Sequence, residues 1–284
     1  MLSLFINWDV DPEIFSLGGF SIRYYGLLFA LAFIFGYKIE EKMFKAEKLP
    51  PEWLNKLWVH VAVATIIGAR LGHCLFYDWA YYREHFFQIF LPFSTDQGFR
   101  FTGFQGLASH GAAIGIIAGL WYYSRKVSKR SIWWVLDRAV VPVALAGCFI
   151  RLGNLMNSEI IGLPTDLPWG FRFANAHGVA DPLTPRHPSQ LYEAICYLAS
   201  FGALMYLYWR TRAKEREGIL FGAFLVLIFT CRFFIEFLKE NQEAFEETML
   251  LNMGQVLSIP FILLGIIMIA RGLSRAPRVA SGKR

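Results

Sequence analysis

The sequence predicts an all-α polytopic membrane protein with about seven transmembrane helices and a small extracytoplasmic cap. Of its 284 residues, 55% are hydrophobic and 18% are charged, whereas a soluble domain carries roughly 25% charged residues. Apolar runs near the ~20 residues that cross a bilayer core recur along the chain, separated by short charged stretches. No repeat of fixed period is present, so a single membrane domain over residues 1–284 is the simplest expectation.

Each predicted span is one of these apolar runs, bounded by charged or turn-forming residues. In chain order the seven spans cover residues 22–37, 57–77, 107–123, 132–152, 190–209, 218–238 and 252–270.

The basic residues are distributed unevenly between alternate connecting segments. The net charge of +6 and the pI near 9.1 would also fit a nucleic-acid partner, but their placement favours membrane topology. Residues 38–56, 125–138, 210–216 and 271–284 hold 19 of the 28 Lys and Arg residues, and the alternate segments hold six. This asymmetry predicts an outside amino terminus and a basic cytoplasmic tail at residues 271–284, with no nucleic-acid partner.

Two of the predicted outside segments are too long for simple turns. Residues 78–106 are rich in Tyr and Phe, which suits a stretch lying at the headgroup level. Residues 157–189 contain LPTDLPWGFRF, whose prolines and glycine prevent a single helix. This second segment is predicted to form the cap between the fourth and fifth spans, where a protein substrate can approach from outside.

Three arginines, Arg70, Arg151 and Arg232, fall inside the predicted spans. An arginine at the centre of a bilayer costs about 2.5 to 3.5 kcal/mol on insertion scales, so each needs a partner or a wet cavity. Glu236 lies four residues after Arg232 on the same helix face, which predicts an ion pair with either a structural or a site role. Converging arginines suit an anionic phosphate headgroup, because the guanidinium fork binds phosphate oxygens bidentately.

Two further polar residues keep two interpretations each. His110 is either a hydrogen-bonded packing residue or a proton acceptor that works near neutral pH. Glu159 either braces the cap or contacts substrate. The four cysteines lie inside spans without metal-type spacing, and no HExxH motif is present, so neither a metal nor a cofactor is expected.

Several spaced motifs resemble those of the bacterial prolipoprotein diacylglyceryl transferases. The pattern RxGNxxNxExxG of that family is matched in one unbroken stretch by Arg151, Gly153, Asn154, Asn157, Glu159 and Gly162. The other matches are RYYG at 23–26, GARLG at 68–72, His110-Gly111, HPSQLYE at 187–193, Arg232 with Glu236, and MGQVLSIP at 253–260. They run in order over nearly the whole chain, and the family's seven-helix topology agrees with the charge distribution.

Four positions depart from the family pattern. Ile150 stands where Gly is usual, Leu155 where Phe is common, and Ala112 where a second Gly follows the His. Ile228 stands where many relatives carry a Tyr, so this side chain offers no hydroxyl group.

The resemblance implies transfer of the diacylglyceryl group of phosphatidylglycerol to the thiol of a lipobox cysteine in a prolipoprotein. It further implies a site in the bacterial cytoplasmic (inner) membrane. By this resemblance His110, Arg151 and Arg232 are the expected catalytic residues. The expected substrate-binding residues are Tyr25, Arg70, Asn154, Asn157, Glu159, Gly162 and Glu236. Two alternatives stay open on the sequence alone: an anion or lipid transporter, and a non-catalytic lipid-binding scaffold.

Overall fold

The structure, a computed structural model, describes residues 5–17, 20–90, 93–94, 100–101, 106, 108–176, 181–240, 246, 249–275 and 277. The chain divides into two compact units, and each is described by itself. The first unit comprises residues 1–40 and 136–284, and the second comprises residues 41–135.

Helices make up most of the described chain. The helices are α1 (Tyr24–Ala46), α2 (Pro51–Phe76), α3 (Trp79–Tyr82), α4 (Phe87–Phe90), α5 (Ser109–Tyr123), α6 (Ile132–Met156), α7 (Ser189–Arg210), α8 (Ile219–Ile235) and α9 (Met253–Ser274). The strands are β1 (Ile6–Trp8), β2 (Glu13–Leu17), β3 (Phe20–Arg23), β4 (Phe93–Ser94), β5 (Arg100–Phe101) and β6 (Phe171–Phe173). A π-helical turn (Ser124–Ser128) follows α5, and 3-10 turns occupy Ala213–Glu215 and Glu236–Leu238.

Five helices are long and apolar enough to cross a membrane: Pro51–Phe76, Ile132–Met156, Ser189–Arg210, Ile219–Leu238 and Met253–Ser274. They coincide with the second, fourth, fifth, sixth and seventh predicted spans, so the chain is a helical, multi-pass membrane protein. The first predicted span lies in α1, which carries five charged residues between Lys38 and Lys45. The third lies in α5, which has 15 residues, and residue 107 at its predicted start is outside the described chain. The total of seven therefore stays a prediction.

In the first unit, short strands hold the segment predicted as the cap. β1 pairs in parallel with β6, with Ile6 opposite Phe171 and Trp8 opposite Phe173, and β2 pairs antiparallel with β3. The Trp8 indole donates a hydrogen bond of 3.0 Å to the Leu155 carbonyl near the end of α6. The aromatic rings of Trp8, Phe171 and Phe173 thus form a small apolar core with Leu155 and Ile161. Residues 177–180 of the predicted cap lie outside the described chain.

The helices α6, α8 and α9 of the first unit are joined by two close contacts. Gly222 of α8 and Gly265 of α9 pack against each other's backbone, which a side chain at either position would prevent. The Asp137 carboxylate of α6 is fully buried and accepts the backbone N–H groups of Gly218 at 2.7 Å and Phe221 at 2.8 Å. Asp137 therefore satisfies the free donors at the start of α8, where Gly218 has a left-handed φ of 94°.

The second unit is built on close packing of α2 against α5. A Cβ at Gly68 or Gly72 would collide with the Gly111 backbone, and a Cβ at Gly115 would meet Ala64 and Gly68. The glycines of GARLG therefore allow α5 to approach α2 closely. Of the predicted interfacial segment, α3 and α4 expose large aromatic side chains, including Phe87 at 78%, while 91–92, 95–99 and 102–105 lie outside the described residues.

Candidate active site

Arg151 lies near the end of α6 and pairs with Glu193 in the second turn of α7. The Arg151 Nε and Glu193 Oε2 atoms are 2.9 Å apart, and the Glu193 side chain has no exposed surface. The Tyr197 hydroxyl, one turn further along α7, donates to Glu193 Oε1 at 3.3 Å. Arg151 therefore meets the requirement that an arginine inside a span needs a charged partner.

Lys239 extends this pair into a longer chain of charges. Its ammonium group lies 3.1 Å from Glu193 Oε1 and 3.1 Å from Glu236 Oε2, and its side chain is 2% exposed. Both contacts are hydrogen bonds. One lysine thus joins the carboxylates of two different helical segments.

Arg232 completes the chain of charges through Glu236. The predicted Arg232–Glu236 pair is present but loose, with 3.9 Å between Arg232 Nε and Glu236 Oε2. Lys239, and not Arg232, is the nearer partner of Glu236. Arg232 Nε is buried and has no hydrogen-bond partner among the described residues. Its guanidinium thus retains a donor for a further ligand.

The signature stretch after Arg151 forms a turn held by side-chain amides. Asn154 accepts a hydrogen bond of 3.3 Å from Arg151 and donates one of 3.1 Å to Glu159, and Asn157 also donates to Glu159 at 3.1 Å. The Tyr25 ring packs on Gly153, leaving no space for a side chain there, and Tyr25 interacts electrostatically with Glu159 and Arg151. Seven residues predicted for the site are thereby brought into one connected region of the first unit: Tyr25, Arg151, Asn154, Asn157, Glu159, Arg232 and Glu236.

Side chains at the start of α7 form hydrogen bonds with the backbone of this turn. The Ser189 hydroxyl donates to the Ile160 carbonyl at 2.7 Å, and the Gln190 amide donates to the Glu159 carbonyl at 2.5 Å. Both side chains belong to the HPSQLYE stretch at 187–193. The structure assigns them to the carbonyls of the signature turn.

Gly162 lies where three segments meet. Its N–H donates to the His187 carbonyl at 3.0 Å, and a Cβ would collide with His187 and with the Leu238 carbonyl. Arg186 is bonded to the Gly162 carbonyl at 3.3 Å and forms an ion pair with Glu240. Gly162 is therefore required for close backbone approach, and its predicted contact with substrate stays a prediction.

His187 lies beside this junction, outside the membrane-spanning helices. Its Nδ1 atom is 3.2 Å from the Tyr192 hydroxyl, which also accepts a hydrogen bond of 2.9 Å from the Trp169 indole. Burial lowers the pKa of the His187 imidazole, because desolvation disfavours the charged form. The neutral ring is therefore the favoured form near neutral pH.

Arg70 and His110 belong to the second unit. Arg70 donates to the carbonyls of Gln88 at 2.5 Å and Ile89 at 3.1 Å, and its guanidinium lies over the Tyr82 ring. His110 has an exposed side chain in the first turn of α5, next to the contact of Gly111 with α2. The predicted roles of Arg70 in substrate binding and of His110 in catalysis stay predictions.

Comparison with known proteins gives a consistent result over almost the whole chain. Residues 12–271 match the family described as prolipoprotein diacylglyceryl transferase. The chain belongs to this family. A phosphatidylglycerol–prolipoprotein diacylglyceryl transferase of Porphyromonas gingivalis is 51% identical over 282 residues, which cover 96% of each chain. Proteins of the same name from Bacteroides fragilis and Chloroherpeton thalassium are 49% and 42% identical, over 93% and 96% of this chain and 94% and 97% of theirs.

The sequence did not predict three residues of the charged network around Arg151: Glu193, Lys239 and Tyr197. Arg232, Glu236 and Lys239 are spaced i, i+4 and i+7, which places them on one helix face. That spacing was a usable signal for Lys239, although the charge distribution suggested an ordinary loop lysine. The pairing of Glu193 with Arg151 depends on two helices distant in sequence, and local pattern does not reveal it.

Residue 228 of α8 is an isoleucine, so this member of the family has no phenol at that position. The Ile228 side chain is buried. Within the described part of the chain, no three His, Cys, Asp or Glu side chains are grouped so as to hold a metal ion. Of the four free cysteines, Cys74 and Cys148 are buried and Cys196 and Cys231 are half-buried.

Proposed function

We propose that this chain transfers the diacylglyceryl group of phosphatidylglycerol to the lipobox cysteine thiol of prolipoproteins. The cysteine sulfur attacks the glyceryl carbon that carries the phosphate. A C–S bond forms, the C–O bond to phosphate breaks, and glycerol phosphate leaves with the bonding electrons. The thiol proton passes to a base. The substrate supplies the nucleophile, so the enzyme needs no reactive cysteine of its own.

The observation that carries this proposal is the pair of arginines joined through the buried side chains of Glu193, Lys239 and Glu236, with Arg232 retaining an unpaired donor. Negative charge grows on the phosphate as the C–O bond breaks. Arginine donors fixed at that position stabilise the transition state more than the ground state. The names of the relatives, which specify phosphatidylglycerol and prolipoprotein, agree with this chemistry.

The proposed residue roles follow from this chemistry. Arg151 and Arg232 stabilise the departing phosphate, and His110 accepts the thiol proton. Glu236 orients Arg232. The remaining proposed substrate-binding residues are Tyr25, Arg70, Asn154, Asn157, Glu159 and Gly162. No metal or cofactor takes part.

The proposed setting is the bacterial cytoplasmic (inner) membrane, crossed by seven helices of one domain with the amino terminus outside. Residues 157–189 form an extracytoplasmic cap at which the lipobox peptide arrives. The basic tail, of which residues 276 and 278–284 lie outside the described chain, is cytoplasmic. The distribution of Lys and Arg supports this orientation.

Incubation of the purified protein with phosphatidylglycerol and a lipobox peptide, followed by mass spectrometry, tests the activity. We expect a diacylglyceryl adduct on the cysteine, no adduct on a Cys→Ser peptide, and loss of the adduct in Arg151→Ala. An intact lipid together with anion movement across vesicles containing the protein would favour the transporter. Lipid binding without any adduct would favour the non-catalytic scaffold.

A further inference from the structure

We propose that Lys239 is a positioning residue that keeps the site positively charged and thereby ready for a phosphodiester headgroup. By binding Glu193 and Glu236, it prevents these carboxylates from fully neutralising Arg151 and Arg232. This inference rests on the proposed function and deepens it, because it identifies what sets the affinity of the site for its anionic substrate.

The first argument is the charge of the chain of contacts that links Arg151, Glu193, Lys239, Glu236 and Arg232, whose three central side chains are buried. Three cations and two carboxylates give one net positive charge at neutral pH. A phosphodiester carries one negative charge, so its arrival neutralises the network. Glu159 lies outside this chain of contacts, because it is exposed and bound by the amides of Asn154 and Asn157.

The second argument is the geometry at the two carboxylates. Lys239 contacts Glu193 through Oε1, and Arg151 contacts the other oxygen, Oε2, so neither cation takes the whole carboxylate. Lys239 also contacts Glu236 at 3.1 Å, while Arg232 remains 3.9 Å away. Without the lysine, Glu193 is free to bind Arg151 bidentately, and Glu236 is free to close on Arg232. Both arginines would then be occupied by internal partners and not by substrate.

The third argument is that the backbone fixes the position of Lys239. Lys239 pairs with Gly162 in an isolated antiparallel bridge, and Leu163 N–H donates to the Leu238 carbonyl at 2.8 Å. The last residue of the signature motif therefore holds the segment that carries the lysine. Arg186 donates a hydrogen bond to the Gly162 carbonyl and forms an ion pair with Glu240, the residue that follows Lys239. These contacts also fix the segment that carries the lysine.

Charge-balancing variants test this inference. Lys239→Met removes the charge, and we expect the KM for phosphatidylglycerol to rise roughly tenfold or more, with a smaller change in kcat. Lys239→Arg keeps the charge and should stay within about threefold of wild type. In the double variant Glu193→Gln/Lys239→Met, one carboxylate is neutralised together with the lysine, which restores one net positive charge. We expect the KM of the double variant to return most of the way to the wild-type value.

Two controls separate this effect from general damage. Lys45→Met removes an exposed lysine paired with Glu41 at 2.9 Å on α1 and should leave the KM unchanged. Lys239→Gln, which keeps an amide donor for one carboxylate, replaces Lys239→Met if the methionine variant does not fold. A purely structural role of Lys239 predicts that the double variant is at least as impaired as the single one. That result, or a folded Lys239→Met or Lys239→Gln with an unchanged KM, would overturn the inference.

A binding measurement distinguishes failure of this inference from failure of the proposed function. Protein in nanodiscs of phosphatidylcholine is titrated with phosphatidylglycerol, and glycerol phosphate is added as competitor. Displacement by glycerol phosphate assigns the binding to the phosphate group itself, and resistance assigns it to the intact lipid. If wild type forms no peptide adduct, the proposed function fails, but binding that is lost in Lys239→Met and restored in the double variant still supports the charge role. Equal binding by all variants would refute it.

Discussion

Arg232 illustrates at the scale of single residues how a costly group indicates a function. Its side chain is about one third exposed, its nearest carboxylate is 3.9 Å away, and its buried Nε has no hydrogen-bond partner in the described parts of the chain. Arg151, by contrast, has a partner at 2.9 Å. An arginine with a spare donor inside a membrane protein is expensive unless a ligand uses that donor. We therefore propose that the two arginines are not equivalent and that Arg232 is the one open to the phosphate.

Replacing Arg232 tests whether the forked geometry matters. In Arg232→Lys the charge is kept, but a lysine cannot donate two parallel hydrogen bonds to one phosphate. We expect kcat to fall by roughly 10² to 10³, the cost of removing one donor that acts in the transition state. Steady-state formation of the peptide adduct provides the measurement. Arg212→Lys, at an exposed pair with Glu215, is the matched control and should retain full activity; equal rates for both variants would contradict the proposed role.

At the scale of elements, the contact between α2 and α5 depends on the absence of side chains. Gly68, Gly72 and Gly111 bring the two backbones so close that any Cβ meets backbone atoms. Backbone cannot move aside as a flexible side chain can, so a substitution must separate the helices. His110 is adjacent to this contact, and its position therefore depends on the packing.

Alanine substitutions at two helical glycines should have opposite effects. Gly111→Ala forces α2 and α5 apart and should destabilise the protein by about 1 to 3 kcal/mol, as overpacking does. Gly202→Ala in α7 has nothing within 4 Å of its new methyl group and should be neutral or stabilising, because alanine favours helix over glycine by up to about 1 kcal/mol. Thermal unfolding in detergent compares the two. A Gly111→Ala protein as stable as wild type would show that the close approach is not required.

The cap of α8 by Asp137 is a second link between elements. The carboxylate accepts two backbone N–H groups at the helix start. Asp137→Ala removes both of these hydrogen bonds and should cost about 1 to 3 kcal/mol. Asp137→Asn keeps one acceptor oxygen and should lose less. Unfolding measurements that rank alanine and asparagine equally would argue against the capping role.

At the scale of the whole molecule, the uneven distribution of Lys and Arg predicts the orientation in the membrane. Basic segments stay on the cytoplasmic side during insertion, and 19 of the 28 basic residues lie in residues 38–56, 125–138, 210–216 and 271–284. A chain in which only the five long apolar helices cross the membrane has a different topology from one in which all seven predicted spans cross. If α1 and α5 did not cross, residues 124–131 would lie on the same side as residues 78–86.

Reporter fusions decide between the two topologies. With seven spans, green fluorescent protein fused within residues 124–131 should fluoresce in the cytoplasm, as should a fusion after residue 275. A periplasmic phosphatase fused within 78–86 or 181–185 should be active. The basic residues of 125–138 favour this outcome. Phosphatase activity at both 78–86 and 124–131 would instead show that α5 does not cross.

The sequence by itself determined that the chain is a multi-pass membrane protein, and it predicted a common site for Arg151, Asn154, Asn157 and Glu159. Apolar runs of about 20 residues are long enough to cross a bilayer, which predicts membrane-spanning helices. An arginine inside such a span needs a partner, whatever the details of the fold. The signature residues Arg151, Asn154, Asn157 and Glu159 are close in sequence, so a single turn suffices to connect them.

The tertiary structure alone decided which charges meet. Glu193 pairs with Arg151, and Lys239 with both Glu193 and Glu236, because α6, α7 and the end of α8 bring these distant positions together. The sequence predicted Arg232 as the partner of Glu236 from helical spacing, but the lysine one turn further on lies closer. Charge pairing depends on distances of a few ångströms between helices, and spacing along one helix does not determine those distances.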